Sequence, residues 1–223
     1  MSIAVAIDGP AGAGKSTIAR AAASQLGFIY VDTGALYRSI GLNALRKGID
    51  ITDADAVVST LDDLKVELAF DAEGSQIVLL NGEDVSAFIR TPEVSMSASK
   101  VSAIPEVRAF LLDLQRNMAK TQSVIMDGRD IGTVVLPDAE VKIFLTASPE
   151  IRAKRRFDEL IEKGQDVKYE DVLADVIERD YNDSHREIAP LKPAEDSHLA
   201  DTSGLTLQES IDLIINIIKE NTK

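Results

Sequence analysis

The stretch Ile3-Ala4-Val5-Ala6-Ile7-Asp8-Gly9-Pro10-Ala11-Gly12-Ala13-Gly14-Lys15-Ser16 decides the fold. It opens as a short apolar strand, and from Gly9 to Ser16 it matches the pattern G-x-x-x-x-G-K-[ST] without a mismatch. Glycines let backbone N–H groups curl around phosphate oxygens, where a Cβ would block the approach. Lys15 supplies a point charge for the β- and γ-phosphates, and Ser16 a small hydroxyl for Mg²⁺. The run Ser16–Leu26 reads as a helix whose positive N-terminal end faces the same anion, and Gly27 reads as its stop. Strand, loop and helix in this order are the setting the motif requires. The chain is therefore expected to bind a nucleoside triphosphate through Gly9, Pro10, Ala11, Gly12, Ala13, Gly14, Lys15 and Ser16.

Outward from this loop, apolar runs alternate with helical patterns. Strands are expected at Ile3–Ile7, Phe28–Val31, Ser123–Met126, Val141–Leu145 and His198–Asp201. Helices are expected at about 16–26, 35–47, 92–119, 149–163, 169–183 and 206–221. Continuously apolar runs around Val5, Ile125 and Ile143 suit strands buried on both faces. The alternation argues for an α/β fold, a five-stranded parallel sheet with helices on both faces. One segment breaks the rhythm. Leu64–Phe70 and Gln76–Leu79 alternate with period two, and Asn81-Gly82 is a hairpin turn signal, so residues 63–90 read as a small antiparallel β insertion.

The 223 residues carry 45% hydrophobic side chains, ordinary for one globular domain. There is no cysteine, which excludes disulfides, thiolate metal sites and a thiol nucleophile. His185 and His198 lack the spacing of a metal pair. No run approaches the ~20 apolar residues of a membrane span, and the N-terminus does not read as a signal peptide. A cytoplasmic location is expected, with no membrane partner. The net charge of −13 disfavours nucleic acid but leaves room for a small anion where arginines gather.

Four such places follow strand ends or open helices. Thr33 could cap the helix after the second strand, and Arg38, one turn in, offers a fork for a phosphate. Asp127-Gly128-Arg129-Asp130 follows the third strand. There Asp127 is placed to support Mg²⁺, Arg129 to hold a phosphate, and Asp130 to accept from the exocyclic amino group of a cytosine. Arg152, Arg155 and Arg156 cluster early in a helix, where they could neutralise a moving phosphoryl group. Arg179, Asp183 and Arg186 fall at i, i+4 and i+7, one face of a helix. These features leave open a small-molecule kinase with another acceptor, or a nucleotide-dependent switch. The lack of an N-K-x-D motif counts against the switch.

Taken together, IDGPAGAGKST, DTGALYR, the inserted hairpin, DGRDIGTVVLPDA followed by KIFL, the paired arginines, and ERDYNDSHR followed by APL resemble the bacterial cytidylate kinases. These belong to the P-loop nucleoside-monophosphate kinases. The resemblance spans nearly the whole chain. It implies a P-loop kinase core at about 1–31, 105–151 and 169–223. A monophosphate-binding insertion would lie at about 32–104 and a short helical lid at about 152–168. It implies transfer of the γ-phosphoryl of ATP, with Mg²⁺, to CMP or dCMP, by a monomer without nucleic-acid or membrane partners. Gly9 to Thr17 would hold ATP. Thr33, Ser99, Arg108 and Asp130 would meet the base or its surroundings, and Arg38 and Arg129 the monophosphate. Arg179 and Asp183 would lie near the ribose, and Arg186 near the base–phosphate site. Lys15, Arg129, Arg152 and Arg156 would carry the chemistry, and Ser16 would touch the metal. The loop often reads D-S-G where this chain has Asp32-Thr33-Gly34, which keeps the hydroxyl.

Overall fold

The computed structural model describes residues 2–71 and 76–222. The chain divides into two compact units, Met1–Tyr30 with Gln122–Lys223, and Val31–Thr121.

In the first unit, β1 (Ala4–Asp8) lies at the centre of the sheet. With β2 (Ile29–Asp32), β6 (Val124–Gly128), β7 (Val141–Thr146) and β8 (His198–Asp201), it forms a sheet in the order β2-β6-β1-β7-β8. Parallel ladders join β6 to β1, β1 to β7, and β7 to β8. All five expected strands are present, within a residue or two. On one face, Val5, Ile7, Ile125, Ile143 and Leu145 pack with α1 (Lys15–Leu26) and α8 (Leu207–Asn221). By alternation Ala6 and Met126 point the other way, and both are fully buried too, which is why these strands read as unbroken apolar runs. Gly27 ends α1 in the left-handed conformation. Thr206 and Glu209 close a capping box at the start of α8. The helices α6 (Pro149–Glu162) and α7 (Tyr169–His185) pack through Ala153, Leu160 and Val172. A turn of π-helix, Ile131–Val135, follows β6.

The second unit has its own core, drawn from α2 (Thr33–Arg46), α4 (Pro92–Val101), α5 (Pro105–Thr121), β3 (Val66–Phe70) and β4 (Gln76–Leu80). With β5 (Glu83–Asp84), β3 and β4 make a three-stranded antiparallel sheet. Asn81 and Gly82 turn the chain between β4 and β5 with φ of 51° and 85°, the paired positive φ that selects Asn-Gly. Residues 72–75 of the expected insertion lie outside the described residues. The short helix α3 (Ala54–Val58), capped by Asp53, was not among the expected elements.

Three expectations need correction. The single helix foreseen at 92–119 is two, α4 and α5. Pro105 cannot donate to a preceding turn and disfavours helical backbone at Ile104, so the chain breaks and restarts with proline in the first turn. Thr33 is not the cap of α2, because Asp32 accepts from the Ala35 N–H at 3.0 Å. Arg186 is not on the helical face of Arg179 and Asp183. It follows the end of α7 with extended backbone (φ −61°, ψ 142°).

Candidate active site

In the first unit, the phosphate loop runs from the end of β1 to the start of α1. Gly9 has a φ of 150°, and a Cβ there would sit 1.9 Å from the Leu145 carbonyl oxygen, so only glycine lets the loop leave the sheet this closely. Gly14 enters α1 with a φ of 87°. Lys15 is buried, and its ammonium donates to the Pro10 carbonyl at 2.8 Å. Burial, and then the Arg129 guanidinium, push its pKa down to about 7. The carboxylates of Asp127, Asp8 and Asp183 act on it in the opposite sense.

The carboxylates around the loop are held by named donors. The Ser16 hydroxyl donates to Asp127 at 2.8 Å, and the Tyr30 hydroxyl donates to the other Asp127 oxygen at 2.9 Å. Hydroxyl and carboxylate side by side are hard oxygen ligands of the kind Mg²⁺ takes together with substrate phosphates. Asp8, the last residue of β1, accepts from the Ile131 N–H at 2.7 Å and the Gly132 N–H at 2.8 Å. Burial pushes its carboxyl up to about 6 in spite of those two bonds. Asp8 therefore ties the base of the loop to the turn that follows Asp130.

Beside that turn, Arg129 donates to Asp183 at 2.7 Å, and Arg186 donates to Asp130 at 3.2 Å and to the Ala189 carbonyl at 2.6 Å. Burial alone would raise the Asp183 carboxyl. The guanidinium groups of Arg129, Arg179 and Arg186 outweigh it and hold the pKa below the usual range. On α6, Arg152 is 2% exposed. It donates to the carbonyls of Ala147 and Ala11 at 2.8 and 2.9 Å, and both its terminal nitrogens bond the Asp180 carboxylate. Arg155 lies near the position a side chain on Gly14 would take, and Arg156 is exposed and pairs with Glu159. The first unit therefore brings together the phosphate loop, Lys15, Ser16, Arg129, Asp130, Arg152, Asp183 and Arg186. Arg179 stays exposed on α7.

The second unit carries Thr33, Arg38, Ser99 and Arg108. Thr33 is buried in the first turn of α2. Arg38 pairs with Asp32 at 2.6 Å, while its buried Nε has no hydrogen-bond partner among the described residues. Arg108 lies 5.8 Å from the centre of the Tyr37 ring and donates to the Ser102 carbonyl at 3.3 Å. Ser99 sits half-buried on α4, which packs so tightly on α2 that a Cβ on Gly41 would meet Ser97 at 2.8 Å.

Asp8, Tyr30 and Asp180 in the first unit and Asp32 in the second bond expected site residues or the loop beside them, and were missed as site residues. A carboxylate at the end of an apolar strand, as at Asp8 and Asp32, was the available signal for two of them. Asp180 stands in the ERDYNDSHR motif, but its partner Arg152 could not be foreseen, because the pairing of α6 with α7 is not written in either segment.

A family model described as cytidylate kinase matches residues 5–220 of the chain. The cytidylate kinase of Caldicellulosiruptor saccharolyticus is 53% identical over 215 residues, covering 96% of this chain and 95% of that protein. That of Caldicellulosiruptor bescii is 51% identical over 221 residues, covering 99% and 97%. The crystal structure of an uncharacterized protein from Eubacterium ventriosum superposes with a TM-score of 0.56 at 12% identity, covering 98% of this chain and 99% of that one. That likeness bears on the fold alone.

Proposed function

The chain belongs to the cytidylate kinase family, and from that membership we propose that it transfers the γ-phosphoryl of ATP to CMP or dCMP, giving ADP and CDP or dCDP. The observation that carries the reading within the molecule is the glycine-built loop with the buried Lys15 ammonium inside it and the Ser16 hydroxyl on Asp127. An ammonium held there and a hydroxyl beside a carboxylate are the donor set that a triphosphate and its metal ion take.

Gly9 to Thr17 cradle the triphosphate, and Lys15 leaves the Pro10 carbonyl for the phosphates. Ser16 and Asp127 suit the Mg²⁺ that accompanies ATP, which would add charge neutralisation at the phosphates. Arg129 and Arg38 hold the monophosphate, which needs no general base because it is already a nucleophile at neutral pH. Thr33, Ser99, Arg108 and Asp130 meet the base, and Arg179, Asp183 and Arg186 the ribose and its neighbourhood. In the lid segment, 152–168, Arg156 is exposed and can swing to the transferring phosphoryl. Arg152, sequestered beneath the loop in this structure, acts on the loop itself. Closure over both nucleotides would exclude water as a competing acceptor. No helix of the described residues is long and apolar enough to cross a membrane. The reading carries with it small nucleotides as partners, a monomeric enzyme and a cytoplasmic location, where ATP and CMP are found.

The test is ADP release, by coupled assay, with a panel of acceptors. CMP and dCMP should be used well and UMP poorly, since UMP turns a carbonyl toward the Asp130 carboxylate where CMP offers an amino group. Asp130→Asn should narrow that gap. Equal rates with CMP and UMP in the unaltered protein would refute the assignment of the base site.

A further inference from the structure

We propose that Asp180 is a positioning residue for the phosphate loop, acting through Arg152. The inference rests on the kinase reading above and extends it to a residue outside the expected site.

The geometry is a strut with three attachments. The Arg152 Nε–H donates to Ala147, the last residue before the Ser148 cap of α6. One terminal nitrogen donates to the Ala11 carbonyl in the middle of the loop and to one Asp180 oxygen, both at 2.9 Å, and the other terminal nitrogen binds the second oxygen. A guanidinium has five N–H donors, and these contacts use four of them. The pair with Asp180 is the two-pronged arrangement that fixes an arginine in orientation as well as in place.

The loop is shaped by what this does to a single peptide plane. In a trans peptide the C=O of one residue and the N–H of the next point in opposite directions. Holding the Ala11 oxygen on Arg152 therefore aims the Gly12 N–H away from the arginine. Arg152 also occupies the side of Gly12 where a Cβ would lie, 3.4 Å from the arginine's own Cβ. The Gly12 amide thus faces the opposite side, as an amide that binds phosphate must.

Asp180 keeps this cation on that task. The Arg152 side chain is 3% exposed, and a buried guanidinium without a carboxylate partner is strongly destabilised. Without the Asp180 charge, Arg152 would leave the Ala11 carbonyl for water, and the loop would lose its outer brace.

Asp180→Asn keeps the shape and removes the charge. Loss of a charge-assisted contact predicts an ADP dissociation constant and an ATP KM raised by about tenfold. The KM for CMP should stay within about twofold, since no acceptor contact is touched. Hydrogen exchange at the Gly12 amide of the free protein should quicken. Arg152→Lys should give the same pattern, and the double variant should be no worse than Arg152→Lys alone, because both act through one contact. ADP binding unchanged in Asp180→Asn, or equal rises in the ATP and CMP constants, would overturn the proposal. If Asp180→Asn does not fold, Asp180→Glu decides. It keeps the charge but displaces the fork by one methylene, so ADP should bind about threefold more weakly, and wild-type ADP binding would overturn the proposal. ADP affinity and amide exchange are read without an acceptor, so a failed acceptor panel would sink the kinase reading while leaving this one standing.

Discussion

The unit that carries the phosphate loop buries charge, whereas the inserted unit buries neutral polar groups. Among the described residues, the first holds Asp8, Lys15, Asp127, Asp130, Lys142, Arg152 and Asp183 in its interior, against Asp32 and Arg108 in the second. The second instead buries Thr33, Ser39, Asn43, Thr60, Ser97 and Gln115 around an extensive apolar core. Charges withdrawn from water are costly to the fold and effective on a ligand, because their fields act in a dry, fixed setting. Hydroxyls and amides cost less and distinguish shapes and hydrogen-bond patterns. On the roles proposed above, the first unit stabilises phosphoryl charge and also meets the acceptor through Arg129 and Asp130, while the second meets the acceptor alone. Substitutions in the phosphate loop and in the second unit should fail in different kinetic constants.

The strongest test is Lys15→Ala. Removing the buried ammonium should lower kcat by about 10³-fold or more, the scale of losing a preorganised charge at a transferring phosphoryl. Thermal stability should not fall, because burial and Arg129 already disfavour the charged lysine. Near wild-type turnover in a coupled assay would break the comparison at its strongest point.

Next in size is a pH effect on stability through Asp8. Its carboxyl titrates at about 6 in the folded chain against an ordinary 3.8. Below 3.8 it is neutral folded and unfolded, and contributes nothing. Above 6 it is charged in both states, and its burial costs the fold about 3 kcal/mol, at 1.36 kcal/mol for each unit of the difference. The cost therefore sets in as pH rises between those values. Asp8→Asn does not titrate, so the variant should gain on the unaltered chain as pH goes from 4.5 to 7, read as the gap between their denaturant midpoints. A gap that stays constant would mean that Asp8 carries no such burden. A carboxylate kept at that cost points to its hold on the Ile131 and Gly132 amides rather than to stability.

What could be read in the sequence follows the same line. The phosphate loop, the strands and the Asn81-Gly82 turn are local patterns, where one residue's backbone or side-chain chemistry dictates its neighbours. The break at Ser102–Ile104 was also local, signalled by Pro105, but the apolar period on either side masked it. Other contacts depend on segments far apart in the chain. Asp8 reaches amides 123 and 124 residues away, Tyr30 reaches Asp127 across 97, and Asp180 reaches Arg152 across 28. Strand order and helix pairing create those meetings, and no local pattern encodes them. Lys15, Asp127, Arg129, Asp130, Arg152 and Asp183 were therefore legible as candidates, but the pairings that hold them were not.

The smallest predicted effect probes the second unit. Arg38 has a partner in Asp32 on one side and a buried Nε with none among the described residues on the other. The planar fork of a guanidinium can grip a phosphate with two donors, which a lysine cannot reproduce even though it keeps the charge. Arg38→Lys should therefore raise the KM for CMP by about tenfold, the worth of one charged hydrogen bond, while the KM for ATP stays within about twofold. The same substitution should leave the fold intact, since the pair with Asp32 is available to an ammonium. Steady-state kinetics with each substrate varied in turn reads both constants. If the ATP constant moves as far as the CMP constant, Arg38 does not serve the acceptor alone, and the second unit is not confined to the acceptor.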